Sequence, residues 1–199
     1  QTIYSGLKFT CLFAFPCALG FIALSKPIIS LIYYNNSPEA INGTAELLSI
    51  LSISLICLCL IQILTAILQA VGSPEKPVKN LVIGSLVKIV LTYILTGISY
   101  FNVKGAAIST DVAFLVAMVL NYIDLEKIVD KKYNLLSYAI KVLAISIIMA
   151  VSVKIVYELL SMRFSLLIST SLSISFGIIV YAGLALLLKL VKIEDFITK

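Results

Sequence analysis

The sequence predicts an all-α, polytopic membrane protein with six transmembrane helices, and three observations carry that reading. The first is composition: 61% of the 199 residues are hydrophobic and 13% are charged, with no Trp and no His. Soluble domains lie nearer half apolar and a quarter charged, and the mean hydropathy here is +1.11. The second is run length, since six stretches approach the roughly 20 apolar residues that a spanning helix needs. The third is the placing of the basic residues, which fall unequally on the two sides of those stretches.

Taken in order, the spans run Phe9 to Leu24, Leu47 to Val71, Leu81 to Tyr100, Ala106 to Ile123, Ala139 to Tyr157 and Phe164 to Leu188. The first is short but continues through Pro27 into "IISLIYY". Between spans one and two, Ser37-Pro38-Glu39 supplies the N-cap, N1 and first-turn residues of a short outer helix. Asn42-Gly43-Thr44 next to it matches a glycosylation acceptor, a pattern short enough to arise by chance. Spans two and three are joined by a tight hairpin, "VGSPEKPVKN", in which Gly72 ends one helix and Pro77 fits the first turn of the next. Spans three and four meet through a few residues around Lys104 and Gly105, which makes them antiparallel neighbours. The fourth connection, residues 124–141, reads either as an amphipathic segment lying on the inner membrane surface or as a solvated linker. In span six "STSLSIS" alternates like a strand, but it lies within a long run without turn residues, so helix wins over barrel. Ser165, Ser169, Ser173 and Gly177 then form a ladder of small residues at i, i+4 against which another helix packs.

Ten lysines lie on one side of this topology (Lys8, Lys76, Lys79, Lys127, Lys131, Lys132, Lys141, Lys189, Lys192 and Lys199). Four basic residues lie on the other: Lys26, Lys104, Lys154 and Arg163. The bias puts both termini of this segment on the cytoplasmic side of the cell membrane. The net charge of +5 therefore reflects topology and anionic lipid, and no nucleic-acid partner is expected.

Several chemistries are excluded. Without His there is no H-E-x-x-H zinc site and no Ser-His-Asp triad, and no G-x-S-x-G or Walker A string is present. Cys11, Cys17, Cys57 and Cys59 lie within spans one and two at spacings that place no two thiolates on one face, so they read as small apolar residues. No enzyme, no cofactor and no metal are expected.

What remains is polarity at membrane depth. Lys88 lies seven residues into span three, roughly 10 Å from the inner edge, and Asp111 five residues into span four, roughly 8 Å from the outer edge. In a core about 30 Å thick this separates them by about 12 Å in depth, too far for a direct pair without tilt or water. Lys88 either snorkels or faces a polar pathway, and Asp111 either sits at the interface or joins that pathway. Gln62, Thr92 and Asn121 add polar capacity to the pathway, with Gln69 and Tyr93 beside them. Taken singly, such residues make interhelical hydrogen bonds.

The string "ILTAILQAVGSPEKPVKNLVIGSLVKIVLTYIL", followed by "NVKGAAIST", resembles the corresponding run of the polysaccharide and lipid-linked oligosaccharide flippases, nearest to the stage V sporulation protein B-like group. That group sits in the wider superfamily of multidrug and toxin extrusion transporters and lipid II flippases. "GLKFTCLFAFPCALGFIALSKPIISLIYY" is similar to the same group, and the resemblance covers roughly residues 5 to 130. It implies two six-helix lobes, in a fold of twelve to fourteen helices, rocking around a central cavity. Residues 1–126 would be the last four helices of the second lobe, and 127–199 a cytoplasmic connection and an additional C-terminal helix pair. The partners implied are a lipid-linked saccharide, such as a peptidoglycan or spore-cortex precursor, membrane lipid, and an N-terminal lobe absent from this chain, so the chain is expected to be a fragment, or a truncated gene product, of a longer flippase. Lys88 matches the family's lysine and is implied to face the cavity or stabilise the lobe. Thr92 stands where Asn is common, and Asp111 where a neutral residue is usual. Two further classes stay open: a cation-coupled multidrug antiporter with Asp111 as its coupling carboxylate, and a non-transporting scaffold or remnant.

Overall fold

The structure, a computed structural model, describes residues 2–129, 135–188 and 190. Its helices are α1 (Thr2–Ala23), α2 (Ser25–Ile32), α3 (Pro38–Ala70), α4 (Glu75–Thr96), α5 (Asn102–Val129), α6 (Leu135–Ser161) and α7 (Leu166–Leu187). All but α2 are long and apolar enough to cross a membrane, and no strand occurs among the described residues.

Each spanning helix except α7 reaches past its apolar run, because a helix satisfies its own backbone and gains nothing by stopping where polarity begins. The short outer helix expected at Ser37-Pro38-Glu39 is the first turn of α3. Ser37 Oγ accepts from Ala40 N at 3.3 Å and Pro38 stands at the start of the helix. Asn42-Gly43-Thr44 consequently lies in helix, with the Thr44 hydroxyl donating to Ala40 O. The hairpin after α3 is as expected: Gly72 takes φ +81, which an L side chain resists, and Ser73 N returns to Leu68 O. The turn between α4 and α5 falls earlier than Lys104 and Gly105. It spans 97–101 and is tied by Asn102 Nδ2 donating to Ser99 O, so Lys104 and Gly105 belong to the first turn of α5. Of the fourth connection, residues up to 129 prolong α5 and those from 135 begin α6. The in-plane surface segment is therefore not seen there, and residues 130–134 lie outside the described ones.

In space the spanning helices form an open row in the order α4, α5, α3, α1, α6, α7, with α2 touching α3 and α7. Leu7 and Cys11 of α1, Leu60, Leu64 and Leu68 of α3 and Leu125 of α5 make one buried core. Leu24, Met149 and Val153 make a second, which joins α6 to the α1–α2 break. At membrane depth the surroundings are as apolar as leucine, so close approach and hydrogen bonds decide the packing. A Cβ on Gly84 would lie 2.7 Å from Ala113 O, one on Gly105 2.8 Å from Leu95 C, and one on Gly177 2.5 Å from Val153 Cγ2. Ser169, Ser173 and Gly177 are buried, as the small-residue ladder requires, whereas its fourth member, Ser165, is exposed as the N-cap of α7. Lys8 Nζ lies over the rings of Tyr4 and Tyr138, 4.3 and 5.1 Å from their centroids, which ties α1 to α6.

Pro16 sits inside α1 and has no N–H to give to the carbonyl of Leu12. The vacancy is filled from α7: the Tyr181 hydroxyl donates to Leu12 O at 2.6 Å. Where α4 begins and α5 ends, the buried Asn80 spends both Nδ2 hydrogens, on Asn121 Oδ1 at 2.9 Å and Asp124 Oδ2 at 2.8 Å. Lys76 Nζ stands 3.6 Å from the other Asp124 oxygen.

Two outcomes follow for the whole protein in lipid or detergent. Gly84→Ala wedges α4 from α5 and lowers stability by about 1–3 kcal/mol, whereas Gly43→Ala, with nothing within 4 Å of the added Cβ, raises it by up to about 1 kcal/mol; thermal unfolding of the pair checks the sign. Asn80→Ala strands the acceptors of Asn121 and Asp124 and costs about 1–3 kcal/mol, read by the same melt.

Candidate functional site

The register of α4 on α5 locates the intramembrane charges. Gly84 meets Ala113 and Ala117, and Leu95 meets Gly105, so Lys88 stands level with about residues 111 and 112. The depth gap of about 12 Å expected between Lys88 and Asp111 is thereby corrected. α4 starts at Glu75 and α5 at Asn102, both before the apolar runs from which depth was measured. The two residues nonetheless form no ion pair. Lys88 is exposed on α4, while the Asp111 carboxyl turns to Ser54 of α3.

On α4 the residues Ser85, Lys88, Thr92 and Thr96 recur at i, i+3, i+7 and i+11 and so form a polar stripe. The Ser85 hydroxyl donates to Leu81 O and that of Thr96 to Thr92 O at 2.6 Å, each satisfied within the helix. Thr92 Oγ1 is buried without a partner. The stripe lies on the helix that the chain covers least: 11% of the α4 span is buried, against 22–28% of the others. A single ammonium on an uncovered helix face can attract an anionic group of a ligand or an adjoining protein surface.

The expected pathway residues are not gathered in one place. Lys88 and Thr92 share the stripe. Asp111 belongs to the α3–α5 seam, with Oδ1 buried and unpartnered. Asn121 is 1% exposed and committed to Asn80. Gln62 lies exposed on α3, as does Gln69.

At the other end of the row a cavity of about 500 Å³ opens among α1, α2, α6 and α7. On α1 its wall is Phe13, Pro16, Cys17, Gly20 and Phe21, and on α7 it is Ile174, Gly177, Ile178, Tyr181 and Ala182. Each set follows the i, i+3, i+4, i+7, i+8 pattern of one helix face. With the Tyr181 hydroxyl turned to Leu12 O, the groove presents almost pure hydrocarbon and suits an alkyl or polyprenyl chain. Sequence reasoning missed it. The pattern is present on both helices, but every face of a spanning helix is apolar, so two matching faces raise no contrast. Of the cysteines, all free, Cys11 and Cys57 are buried as expected and Cys17 lines this groove.

The family model described as "Lipid II flippase MurJ" matches residues 1–188, which extends the resemblance through α6 and α7. A probable lipid II flippase MurJ of Rickettsia prowazekii (strain Madrid E) is 24% identical over 204 residues, covering 96% of this chain and 39% of that protein. A solved lipid II flippase MurJ, in an inward closed conformation, superimposes with a TM-score of 0.78 at 21% identity over 98% of this chain and 39% of its own, a likeness of fold. The chain thus spans about two fifths of the length of these relatives. With a multi-pass array of apolar helices and a family match over nearly its whole length, the chain belongs to the lipid II flippase MurJ family.

Proposed function

We propose that these helices are part of a flippase that carries a lipid-linked oligosaccharide or peptidoglycan precursor across the cytoplasmic membrane by alternating access. The observation that carries this reading is the groove: about 500 Å³ of hydrocarbon-lined space between α1 and α7, suited to the lipid part of such a molecule. Lys88, exposed on the polar stripe of α4, would attract its anionic head. A spore-cortex precursor is the narrower form of this substrate and rests on the sporulation-protein resemblance.

The open row favours a chain completed by other helices. α4 leaves most of its surface uncovered, and alternating access needs a second unit to move against. In this reading residues 1–126 close the second lobe, and 127–199 add the connection and the extra pair, which reach the rest chiefly through α1 and α2. The lysine bias places both ends of the segment on the cytoplasmic side.

Two substitutions in the whole transporter, assayed for movement of a lipid-linked precursor in proteoliposomes, test the two parts of the reading. Lys88→Met removes a charge-assisted contact worth about 1.5–3 kcal/mol and slows flipping tenfold or more; an unchanged rate would refute a role for Lys88. Gly20→Phe meets nothing within 4 Å at its Cβ and places a ring in the groove. It cuts transport with an unaltered melting temperature, and full activity would remove the groove from the mechanism.

A further inference from the structure

We infer that Asp111 carries a proton in the α3–α5 seam and releases it when the two helices part. Its place in a transport cycle rests on the flippase reading; its chemistry does not.

Asp111 Oδ1 is sealed from solvent and has no hydrogen-bond partner. α5 packs against α3 and α4. From α3 the carboxyl meets Ser54, with Cys57 nearby, a hydroxyl and a thiol. From α4 the level residue is Lys88, which is exposed and makes no ion pair with it. The other cation of this region, Lys104 on α5, is engaged by Glu46. No positive charge therefore compensates a carboxylate here.

Ser54 decides which form of the acid fits. Its hydroxyl has one hydrogen, and that hydrogen goes to Leu51 O at 2.6 Å. Ser54 Oγ can still accept but has nothing left to donate. A neutral carboxyl offers an O–H that Ser54 Oγ can take, whereas an ionised one finds no cation and keeps Oδ1 buried without a partner. An unpaired charge at this depth is strongly disfavoured. A metal ion is a poorer occupant, since hard cations take about six oxygens and one carboxyl with one hydroxyl falls short.

The step balances with water alone. When α3 and α5 separate, the carboxyl O–H bond breaks, the proton passes to a water molecule and a hydrated carboxylate remains. On closure the carboxylate takes a proton back from water and loses its hydration shell. The residue as a whole is half-buried, so a local parting admits the water. Proton occupancy and seam geometry thus favour each other, which is the form that coupling takes.

The test is infrared spectroscopy of the whole protein in lipid at neutral pH, reading the C=O stretch of a neutral carboxyl that shifts on exchange into deuterated water. The expected result is a band lost in the near-isosteric Asp111→Asn and moved in Ser54→Ala, which keeps the acid and removes its acceptor. Identical wild-type and Asp111→Asn spectra would overturn the inference, as would a band indifferent to Ser54→Ala. A band abolished by sodium chloride at fixed pH, but not by choline chloride, would assign a cation in place of the proton and overturn it too. If Asp111→Asn fails to fold, the Ser54→Ala spectrum decides. In flipping assays the wild type responds to a pH gradient by fivefold or more and Asp111→Asn does not. Equal responses of the two would also overturn it. If no flipping is found at all, the flippase reading fails while the infrared result stands by itself.

Discussion

Polar backbone groups at membrane depth must be satisfied from within the protein, because hydrocarbon offers neither donor nor acceptor. The Leu12 carbonyl displays that constraint most plainly. Pro16 withdraws the amide that would have bonded it, and a hydroxyl on α7 supplies the replacement. That bond draws α7 towards α1 and positions Tyr181 in the wall of the apolar groove. The α1–α2 break follows similar logic: Pro27 lies in the first turn of α2, where a missing N–H costs nothing, and Leu24 and Ile28 keep the hydrogen-bond ladder running across the bend.

The same medium explains why the array is held by small residues and polar ties. Leucine gains little by leaving lipid for another leucine, so contact must come from approach closer than leucine permits. Gly84 and Gly105 bring α4 and α5 to backbone contact at two points, and Asn80 locks the end of that hairpin with two hydrogen bonds. α4 and α5 are consequently joined towards both ends of their contact, while the polar stripe of α4 stays uncovered. α6 and α7 form a second pair around Gly177, Ser169 and Ser173. α3 and α1 lie between them, and the α3–α5 seam holds the buried acid.

The number and order of the spanning helices, the Gly72 hairpin, the Ser37 cap and the small-residue face of α7 were all legible, because each depends on local chemistry. Helix ends were not: the apolar run marks where lipid would be, while the helix continues until a turn such as 97–101 stops it. That difference moved Asp111 and Lys88 to one level. Side-chain direction was the other gap. Asn121 is buried and Lys88 exposed although both lie in apolar surroundings in the sequence, and only the pairing of α4 with α5 separates them. The groove escaped for a related reason, since a uniformly apolar chain gives no moment by which to tell a lipid-facing stripe from a cavity wall.

The bond from Tyr181 to Leu12 joins residues 169 positions apart. At a synthesis rate of about 5–20 residues per second, α1 leaves the ribosome on the order of ten seconds or more before its partner exists. During that interval the first helix sits in the translocon or the bilayer with an unanswered carbonyl beside its proline. It is free to bend there, and it reaches its final shape only when α7 arrives. The proline thereby works as a delayed latch, leaving the groove unfinished until α7 has been made.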